Sequence, residues 1–482
     1  MPRNDDVRKD WRLPAAGGDV FPRVARAVRA VMDGLSVSAG IESGMENAEG
    51  MVPRRIFISL LHAVIKHHEL IHSLVLARSA EMGEENAGSL QHETRMACVA
   101  HVLLPLLEGD TPFFHENIML DVVQSRIDDF LTSGIIPTEH AFLRGLSSTI
   151  ARHERLILRK GLPADPRVMA TAHSHPLFLV DKLSALVDPD RLARIMEAHL
   201  AGERFFVRTR PGARERVARL LARKGFTFQA DATLPDLLHV LAMPGWKRGL
   251  LGTPRGHEFF LVQDLGSAAV VEALGVVRGD LVLDACAAPL QKTIALSWKA
   301  GVTGRVVAVD VHPARLVENV KRLRRAAGSP VDVIAGDATR MKATLHGLVP
   351  DRVLVDVPCT GSGSMAAHPE LRWMQTRNHL DAHVRLQRSI VASCLGAAKR
   401  GEWHDTRFVY STCSYYPEEG EGIIDAFLDE IALVDLHAAG APLASFPTGW
   451  KGHACARFAA RTFPDVNEGA RGFFIAAFTV KP

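Results

Sequence analysis

The chain has 482 residues, which is too long for a single ordinary core, so we expect two to four domains. Apolar residues make up 47% of the sequence and charged residues 23%, as in globular proteins, and no stretch approaches the ~20 consecutive apolar residues of a membrane span. The formal net charge of +3 is too small to indicate a polyanionic partner by itself.

The first 50 residues differ in character from those that follow. Residues 1–50 are rich in Gly, Asp and Arg with little apolar periodicity, and they predict an N-terminal tail that is partly disordered, above all over its first ~20 residues. From 51 to 165, apolar residues recur at three- and four-residue spacing, as in "RRIFISLLHAVIKHHELIHSLVLA". This pattern predicts a helical domain of four or five helices, followed by a linker at "GLPADPRV" (161–168).

One motif in the helical region matches a known metal-binding pattern. "HELIH", from His68 to His72, fits the H-E-x-x-H signature of zinc proteases, in which two histidines share a helix face and the glutamate acts as a base. No clear third ligand follows, and the run lies in an amphipathic helix. We interpret it as a chance match and expect no metal.

Residues 174–250 predict a small α+β module. A helix over 175–200 precedes the strand "RFFVRTR", a basic helix over 212–224, and the strands "FTFQA" and "LHVLAM". From Arg204 to Lys224 there are eight basic residues and one acid, a bias that suits a nucleic-acid backbone but also a solvated helix face. The residues predicted to contact phosphates are Arg208, Arg210, Arg214, Arg219, Arg223 and Lys224.

From residue 251 to 482, strands alternate regularly with helices. A long helix is expected over 379–399 and another helix over 418–431. The strand segments are "DLVLDACAAP", "GRVVAVDV", "VDVIAGDA", "DRVLVDVPC", "RFVYSTCS" and "GFFIAAFTV". This rhythm predicts an α/β fold with a doubly wound, Rossmann-like parallel sheet.

Acids and thiols follow the predicted strands, where ligands bind in open α/β sheets. The residues at these strand ends are Asp284, Cys286, Asp310, Asp337, Asp356, Cys359 and Cys413. An acid after the second strand can hold ribose hydroxyls, but the G-x-G-x-x-G of dinucleotide enzymes is absent. A single Asp is more often a cap or turn residue; together the acids favour a cofactor that contains a nucleoside.

Two cysteines add a second signal. The six cysteines of the chain form no Cys-x-x-Cys pair, which favours reduced thiols in an intracellular compartment over a zinc ribbon or a disulfide framework. Cys359 and Cys413 lie in polar loops where a thiolate can be stabilised. A thiolate can add to carbon 6 of a pyrimidine and make carbon 5 nucleophilic enough to take a methyl group, while a second thiol assists proton removal and release. An acid such as Asp356 could hydrogen-bond N3 of the base and favour that addition.

These segments, in a consistent order over roughly 174–482, resemble the RNA cytosine-carbon-5 methyltransferases of the RsmB/Sun type. The matching motifs are "LVQDLGS", "DACAAPLQKT", "DVPCTGSG", "HPELRW", "YSTCSYYPEEGE" and "GFFIA". The resemblance implies that Cys413 is the nucleophile and that Cys359 helps to release the product. It also implies an S-adenosylmethionine site formed by Cys286, Ala287, Ala288, Pro289, Leu290, Gln291, Lys292, Asp310, Asp337 and Asp356.

The resemblance extends to the flanking regions. The module at 174–250 resembles the RNA-recognition-like extension of the family, and the helical unit is similar in placement to its NusB-like domain, which would bind RNA or a protein partner. The implied substrate is RNA, with ribosomal RNA or an assembly intermediate favoured, and the implied compartment is the cytoplasm or nucleolus. The basic stretch "FPRVARAVRAV" leaves mitochondrial import open. No membrane association is expected.

The sequence departs from the family in its cofactor loop. Leu290 and Gln291 replace two glycines, whose positive φ and small size allow the backbone to approach the cofactor closely. Two hypotheses therefore stand: an active methyltransferase, and a weakened or inactive RNA-binding derivative acting in ribosome assembly. A DNA cytosine methyltransferase is disfavoured, because its nucleophile would lie in the Pro-Cys loop at Cys359.

Overall fold

A computed structural model describes most of the chain, as two compact units, Met1–Ser184 and Ala185–Pro482. The described residues are 20–33, 35–45, 54–84, 89–107, 116–133, 136–159, 162–242, 258–341, 347–401, 403 and 405–481. The disorder expected for the first ~20 residues therefore concerns a segment outside the described residues. None of the described helices is long and apolar enough to cross a membrane.

The first unit is helical. Its helices are α1 (Val20–Met32), α2 (Val37–Met45), α3 (Arg54–Lys66), α4 (His68–Glu81), α5 (Ser89–Leu107), α6 (Glu116–Ser133), α7 (His140–Arg144), α8 (Leu146–Arg152), α9 (Glu154–Leu158), α10 (Pro166–Ala172) and α11 (Leu177–Ser184). The "HELIH" motif forms the start of α4, where His72 Nδ1 and His92 Nε2 share a hydrogen bond of 2.8 Å. Among the described residues, no three His, Cys, Asp or Glu side chains are arranged to hold a metal.

Two boundaries of this unit differ from the prediction. The segment 1–50 is not a tail throughout, because α1 and α2 lie within it, and α1 buries Val24, Val28 and Val31, which follow one another at four- and three-residue spacing. The unit also extends past the predicted linker to Ser184. In this extension Ser174 Oγ accepts a hydrogen bond from Leu70 N of α4 (3.2 Å), which joins it to the helical unit.

The second unit begins with a four-stranded antiparallel sheet in the order β2-β3-β1-β4. Its elements are α12 (Pro189–Ala201), β1 (Phe205–Thr209), α13 (Arg214–Arg223), β2 (Thr227–Ala230), β3 (Leu237–Ala242) and β4 (Phe260–Val262). The small module thus extends past residue 250 to β4.

Both faces of the β1–β4 sheet are covered, as the alternation of its side chains requires. Val207 and Val240 lie in an apolar cluster with Val217 of α13. On the other face, Phe206 and Leu237 belong to the core of the large sheet domain that follows.

Arg208, which shares the inward face with Phe206, is wrongly predicted as a phosphate contact. Its side chain is only 3% exposed and forms an ion pair with Glu272 and a hydrogen bond to Gln263 Oε1 (3.2 Å). Of the other predicted contacts, Arg210 is half-buried. Those exposed on or directly after α13 are Arg214, Arg219, Arg223 and Lys224.

The remaining chain forms the predicted doubly wound sheet, in the order β10-β12-β9-β8-β5-β6-β7 with β11 paired to β12. Its elements are α14 (Leu265–Leu274), β5 (Leu281–Asp284), α15 (Gln291–Ala300), β6 (Arg305–Asp310), α16 (Pro313–Ala326), β7 (Val331–Ala335), β8 (Arg352–Asp356), α17 (Arg377–Arg400), β9 (Arg407–Thr412), α18 (Glu421–Asp425), β10 (Ile431–Val434), β11 (Ala460–Thr462) and β12 (Phe473–Val480). Strands β5 to β9 are parallel, and β10 to β12 pair antiparallel. The chain order reverses between β5 and β8, and apolar clusters cover both faces.

The helix predicted over 418–431 is much shorter in the structure. Only Glu421–Asp425 are helical, and turns lead from there to β10. The carboxylate of Asp425 accepts a hydrogen bond from Cys455 N (3.0 Å) where the prediction continued the helix.

Arg208 and Arg219 provide a test of the burial difference within the basic segment. We expect Arg208→Ala to lower the free energy of unfolding by about 2 kcal/mol, because a buried side chain and its hydrogen bond to Gln263 are lost, although Glu272 keeps its ion pair with Lys299. Arg219→Ala, whose ion pair with Glu215 is exposed, should change it by less than about 0.5 kcal/mol. Urea denaturation measures both; equal effects would contradict the placement of Arg208.

Candidate active site

The predicted site residues meet at the carboxyl edge of the large sheet, where the strand order reverses. Three segments converge there: the β5 loop (residues 285–290), the Cys359 loop (357–364) after β8, and the Cys413 loop (413–420) after β9. A crevice forms at such a reversal because successive connections leave on opposite faces of the sheet. The sequence therefore predicts the location of the site.

The β5 loop is anchored to the strands on both sides of β5. Ala285 N donates to Leu354 O of β8 (2.9 Å), and Ala287 N donates to Val309 O of β6 (2.9 Å). Beneath the loop, Thr293 Oγ1 donates to Asp284 Oδ2 (2.7 Å), and burial raises the pKa of Asp284 to about 7. Asp284 thus supports the loop from inside the protein.

Two further acids brace backbone turns. Asp310 Oδ2 accepts from Ala288 N (2.9 Å) and Oδ1 from His312 N (2.9 Å), so that this carboxylate fixes the β5 loop to the end of β6. Asp337 accepts from the backbone and hydroxyl of Thr339 (2.8 and 2.7 Å), and this bonding lowers its pKa. A carboxylate can accept about four hydrogen bonds, and each of these two accepts two from the protein, so capacity remains for a ligand hydroxyl.

Leu290 adopts the backbone conformation for which a glycine is suited. Its φ is +69°, in the left-handed region, which costs an L-residue about 1–2 kcal/mol. Its side chain is 0% exposed and lies in the apolar cluster that contains Val282 and Ile294. The added bulk is therefore in the core, and no part of it lies at the exposed surface of the loop.

The other residues of the predicted cofactor-binding segment differ in their exposure to solvent. Cys286 is half-buried, and burial raises the pKa of its thiol; Ala287 is buried and Pro289 is exposed. Gln291 and Lys292, both half-buried, begin α15, whose first N–H groups have no partner within the helix. Such a helix start favours an anionic group such as a carboxylate.

Lys292 and Asp356 form an ion pair between the β5 loop and the end of β8. Lys292 Nζ donates to Asp356 Oδ2 (2.6 Å), and Ser411 Oγ of β9 donates to Asp356 Oδ1 (2.6 Å). Burial disfavours the Lys292 ammonium, but Asp356 outweighs this effect and raises the pKa of the lysine. Asp356 thus connects the strands whose loops carry the two thiols.

The two thiols, Cys359 and Cys413, are in direct contact, with 3.3 Å between their Sγ atoms. A hydrogen bond from Cys359 lowers the pKa of Cys413 to about 7, although burial opposes this, and the Lys292 ammonium also lowers it. The same hydrogen bond, together with burial, raises the pKa of Cys359 well above its usual range. The pair therefore supplies one thiolate near neutral pH and one neighbouring thiol.

Buried charges that the sequence analysis missed hold the Cys413 loop. Glu419 is fully buried and accepts from Thr360 N (2.9 Å), Thr360 Oγ1 (2.5 Å) and Gln387 Nε2 (2.9 Å). Glu421 and Arg461, both 0% exposed, form two hydrogen bonds of 2.8 and 2.6 Å. The signal for Glu419 and Glu421 was a group of three acids in "YSTCSYYPEEGE", a segment flanked by apolar residues, but the partners of these two lie up to 59 residues away.

Two glycines allow the loops to approach each other. Gly363 N donates to Cys413 O (2.9 Å), and Gly472 N donates to Gly363 O (2.8 Å). A Cβ at Gly363 would lie 2.1 Å from Gly472 O, and one at Gly472 would lie 2.1 Å from the ring of Tyr415. Side chains at these positions would separate the backbone segments around Cys413.

Part of the chain is similar in sequence to known methyltransferases. A sequence model described as 16S rRNA methyltransferase RsmB/F matches residues 271–479. This segment, which is less than half of the chain, is similar in sequence to the RsmB/F methyltransferases. Ribosomal RNA small subunit methyltransferase B of Sodalis glossinidius (strain morsitans) is 31% identical over 283 residues, which are 56% of this chain and 62% of that protein. The chain therefore matches less than two thirds of the length of this relative.

Solved structures share the fold of the chain. The structure named PH0851 has a TM-score of 0.66 at 19% identity and covers 96% of this chain and 98% of its own. NSun6 from Pyrococcus horikoshii, solved with SFG, has a TM-score of 0.51 at 20% identity, with 62% and 96% covered. The similarity to methyltransferases implies S-adenosylmethionine as the cofactor. The β5 loop fits it, since Leu290 keeps the left-handed turn and its side chain is buried in the core.

Restoring the family glycine should weaken the fold. We expect Leu290→Gly to lower the free energy of unfolding by about 2 kcal/mol, because the loss of a buried leucine (about 3–5 kcal/mol) exceeds the relief of backbone strain. Gln291→Gly, half-buried at the helix start, is the matched control and should cost at most about 1 kcal/mol. A gain in stability for Leu290→Gly in urea denaturation would show that its side chain is not part of the core.

The pH dependence of thiol alkylation tests the cysteine pair. Iodoacetamide labelling of Cys413, followed by mass spectrometry, should accelerate as the pH rises through about 7, because the thiolate fraction rises with it. Cys359→Ala removes the hydrogen-bond donor, so the midpoint should move up toward the ordinary cysteine value. An unchanged midpoint would refute the hydrogen bond as its cause. Cys413→Ala provides the blank.

Proposed function

We propose that the protein is an S-adenosylmethionine-dependent RNA methyltransferase that modifies carbon 5 of cytosine through a covalent bond to Cys413. The observation that carries this proposal is the contact of 3.3 Å between a sulfur of lowered pKa and a second thiol, at the strand reversal of a methyltransferase sheet. SFG, an analogue of S-adenosylmethionine, was bound to a protein of the same fold, which supports the cofactor.

The first step needs a thiolate and a way to stabilise charge on the base. The Cys413 thiolate adds to carbon 6 of cytosine, and the electron pair of the carbon 5–carbon 6 double bond becomes available at carbon 5. Asp356, held by Lys292 and Ser411, is proposed to share a proton with N3 of the base, which would limit the build-up of negative charge on the ring and favour this addition. The bound cofactor supplies the methyl group that carbon 5 takes up.

Release requires loss of the carbon 5 proton and of the sulfur. When Cys413 is bonded to the base, it no longer raises the pKa of Cys359, so Cys359 can lose its own proton to solvent and accept the carbon 5 proton as a thiolate. As the proton leaves carbon 5, its bonding electrons restore the double bond and the carbon–sulfur bond breaks. Cys413 is then restored as a thiolate, and Cys359 holds the proton that carbon 5 has lost.

Ribosomal RNA is the proposed substrate, in line with the name of the Sodalis relative. The exposed basic residues Arg214, Arg219 and Arg223 of α13 are proposed to bind its phosphates, and a paired target base would have to be flipped out. Action in the cytoplasm, and binding of RNA or a protein by the N-terminal helical unit, belong to the same proposal.

A second candidate is a weakened, RNA-binding derivative that acts in ribosome assembly. The observation that favours it is Leu290 at positive φ in the β5 loop, where the family has glycine. The two candidates differ in whether cofactor binds and a covalent RNA adduct forms.

Cofactor binding and adduct formation test the proposal. Calorimetric titration should show binding of S-adenosylmethionine, and wild type should form an adduct with 5-fluorocytosine RNA that Cys413→Ala lacks, as measured by mass spectrometry. With ordinary cytosine RNA, Cys359→Ala should accumulate the adduct, because release is impaired. If the protein binds RNA but not the cofactor, the enzyme proposal is wrong and the second candidate, an RNA-binding derivative, is supported instead. An adduct in Cys413→Ala would refute the nucleophile.

A further inference from the structure

A helix of the small module contacts the loop that carries Cys413. His199, near the end of α12, shares a hydrogen bond of 2.9 Å between its Nε2 and the hydroxyl of Tyr415, and both side chains are buried. Burial lowers the pKa of His199 to about 3, so the imidazole is neutral at ordinary pH. The hydrogen bond therefore joins two uncharged groups throughout the neutral range.

A second contact reinforces the first. Arg191, at the start of α12, donates to Asp465 (3.1 Å) and places its guanidinium 4.6 Å from the ring centre of Phe463. Phe463 in turn lies parallel to Tyr415, with 5.9 Å between ring centres. Tyr415 is thus connected to both ends of α12 through its ring and its hydroxyl.

Tyr415 is also fixed to the backbone around Cys413, two residues earlier. Its N–H donates to Ser362 Oγ (2.9 Å) of the Cys359 loop, and its carbonyl accepts from Trp450 Nε1 (2.8 Å). Its ring occupies the space beside Gly472 that a larger residue would fill. Because these contacts leave little freedom, a displaced Tyr415 would shift the Cys413 sulfur relative to Cys359.

We propose that Tyr415 and His199 are positioning residues, which hold the Cys413 sulfur within hydrogen-bond distance of Cys359 and connect it to the small module. α12 leads directly into β1 through Gly202, so the module that bears the basic helix α13 and the Cys413 loop are connected by one rigid element. The link to RNA methylation rests on the proposed function; the effect on the thiol does not.

The test is a double-mutant cycle on Cys413 reactivity. Tyr415→Phe keeps the ring and removes the hydroxyl, and His199→Leu removes its partner. Each substitution should slow iodoacetamide labelling of Cys413 at pH 7 by about threefold to tenfold and raise the midpoint of its pH dependence. Because both substitutions break the same hydrogen bond, the double variant should label at the same rate as either single variant. In methyl transfer, kcat should fall while KM for RNA stays unchanged, and His199→Gln, which can hydrogen-bond Tyr415, should recover part of the loss.

Thr406→Val is the matched control. It removes a buried hydrogen bond, from Thr406 Oγ1 to Pro350 O (2.5 Å), at the start of β9, and should leave the labelling rate unchanged. Additive effects of the two substitutions, or wild-type labelling in Tyr415→Phe, would overturn the positioning role. Labelling needs neither RNA nor cofactor, so a wild type that transfers no methyl group would refute the proposed function while the labelling cycle still decides the link.

Discussion

The pairing of Asp356 with Ser411 sets the geometry on which the candidate site depends. These residues lie opposite each other at the ends of the parallel strands β8 and β9, and their side chains are hydrogen-bonded. Cys359 and Cys413 follow three and two residues later, so this register brings the two sulfurs together. A slip of one residue would turn Asp356 or Ser411 to the other face of the sheet and separate the thiols.

Buried charges then fix the loops beyond this register. Glu419 connects the Cys413 loop to the Cys359 loop, and the pair of Glu421 and Arg461 attaches it to β11. Buried ion pairs add little net stability, because desolvation offsets their attraction, but removal of one partner is costly. We therefore interpret these pairs as contacts that select one loop conformation, in which the sulfur of Cys413 contacts that of Cys359.

The strand ends could be predicted from the sequence, because an apolar strand segment followed by an acid or a cysteine occurs five times. Since the strands are parallel, their carboxyl ends lie at the same edge of the sheet. The burial of Arg208 could not be predicted, because a run of basic residues does not reveal which of them face inward from a strand. The one indication was that Arg208 lies two residues after the apolar Phe206, which puts both side chains on the same face. The partners of Glu419 and Glu421 are set by tertiary contacts that local patterns do not encode. Leu290 shows the same limit, since its identity suggested an obstructed loop whereas its side chain lies in the core.

The covered faces of the β1–β4 sheet have a consequence for selectivity. A four-stranded sheet that reads RNA commonly stacks bases on an open face, but here that surface is occupied by α13 on one side and by the core of the large domain on the other. If the proposed function is correct, the small module contacts RNA through the row of exposed arginine guanidinium groups on α13. Such contacts give an affinity that falls steeply with ionic strength and carries little base preference. The choice of nucleotide would then be made where the thiols are, and the small module would act chiefly to raise the local concentration of RNA.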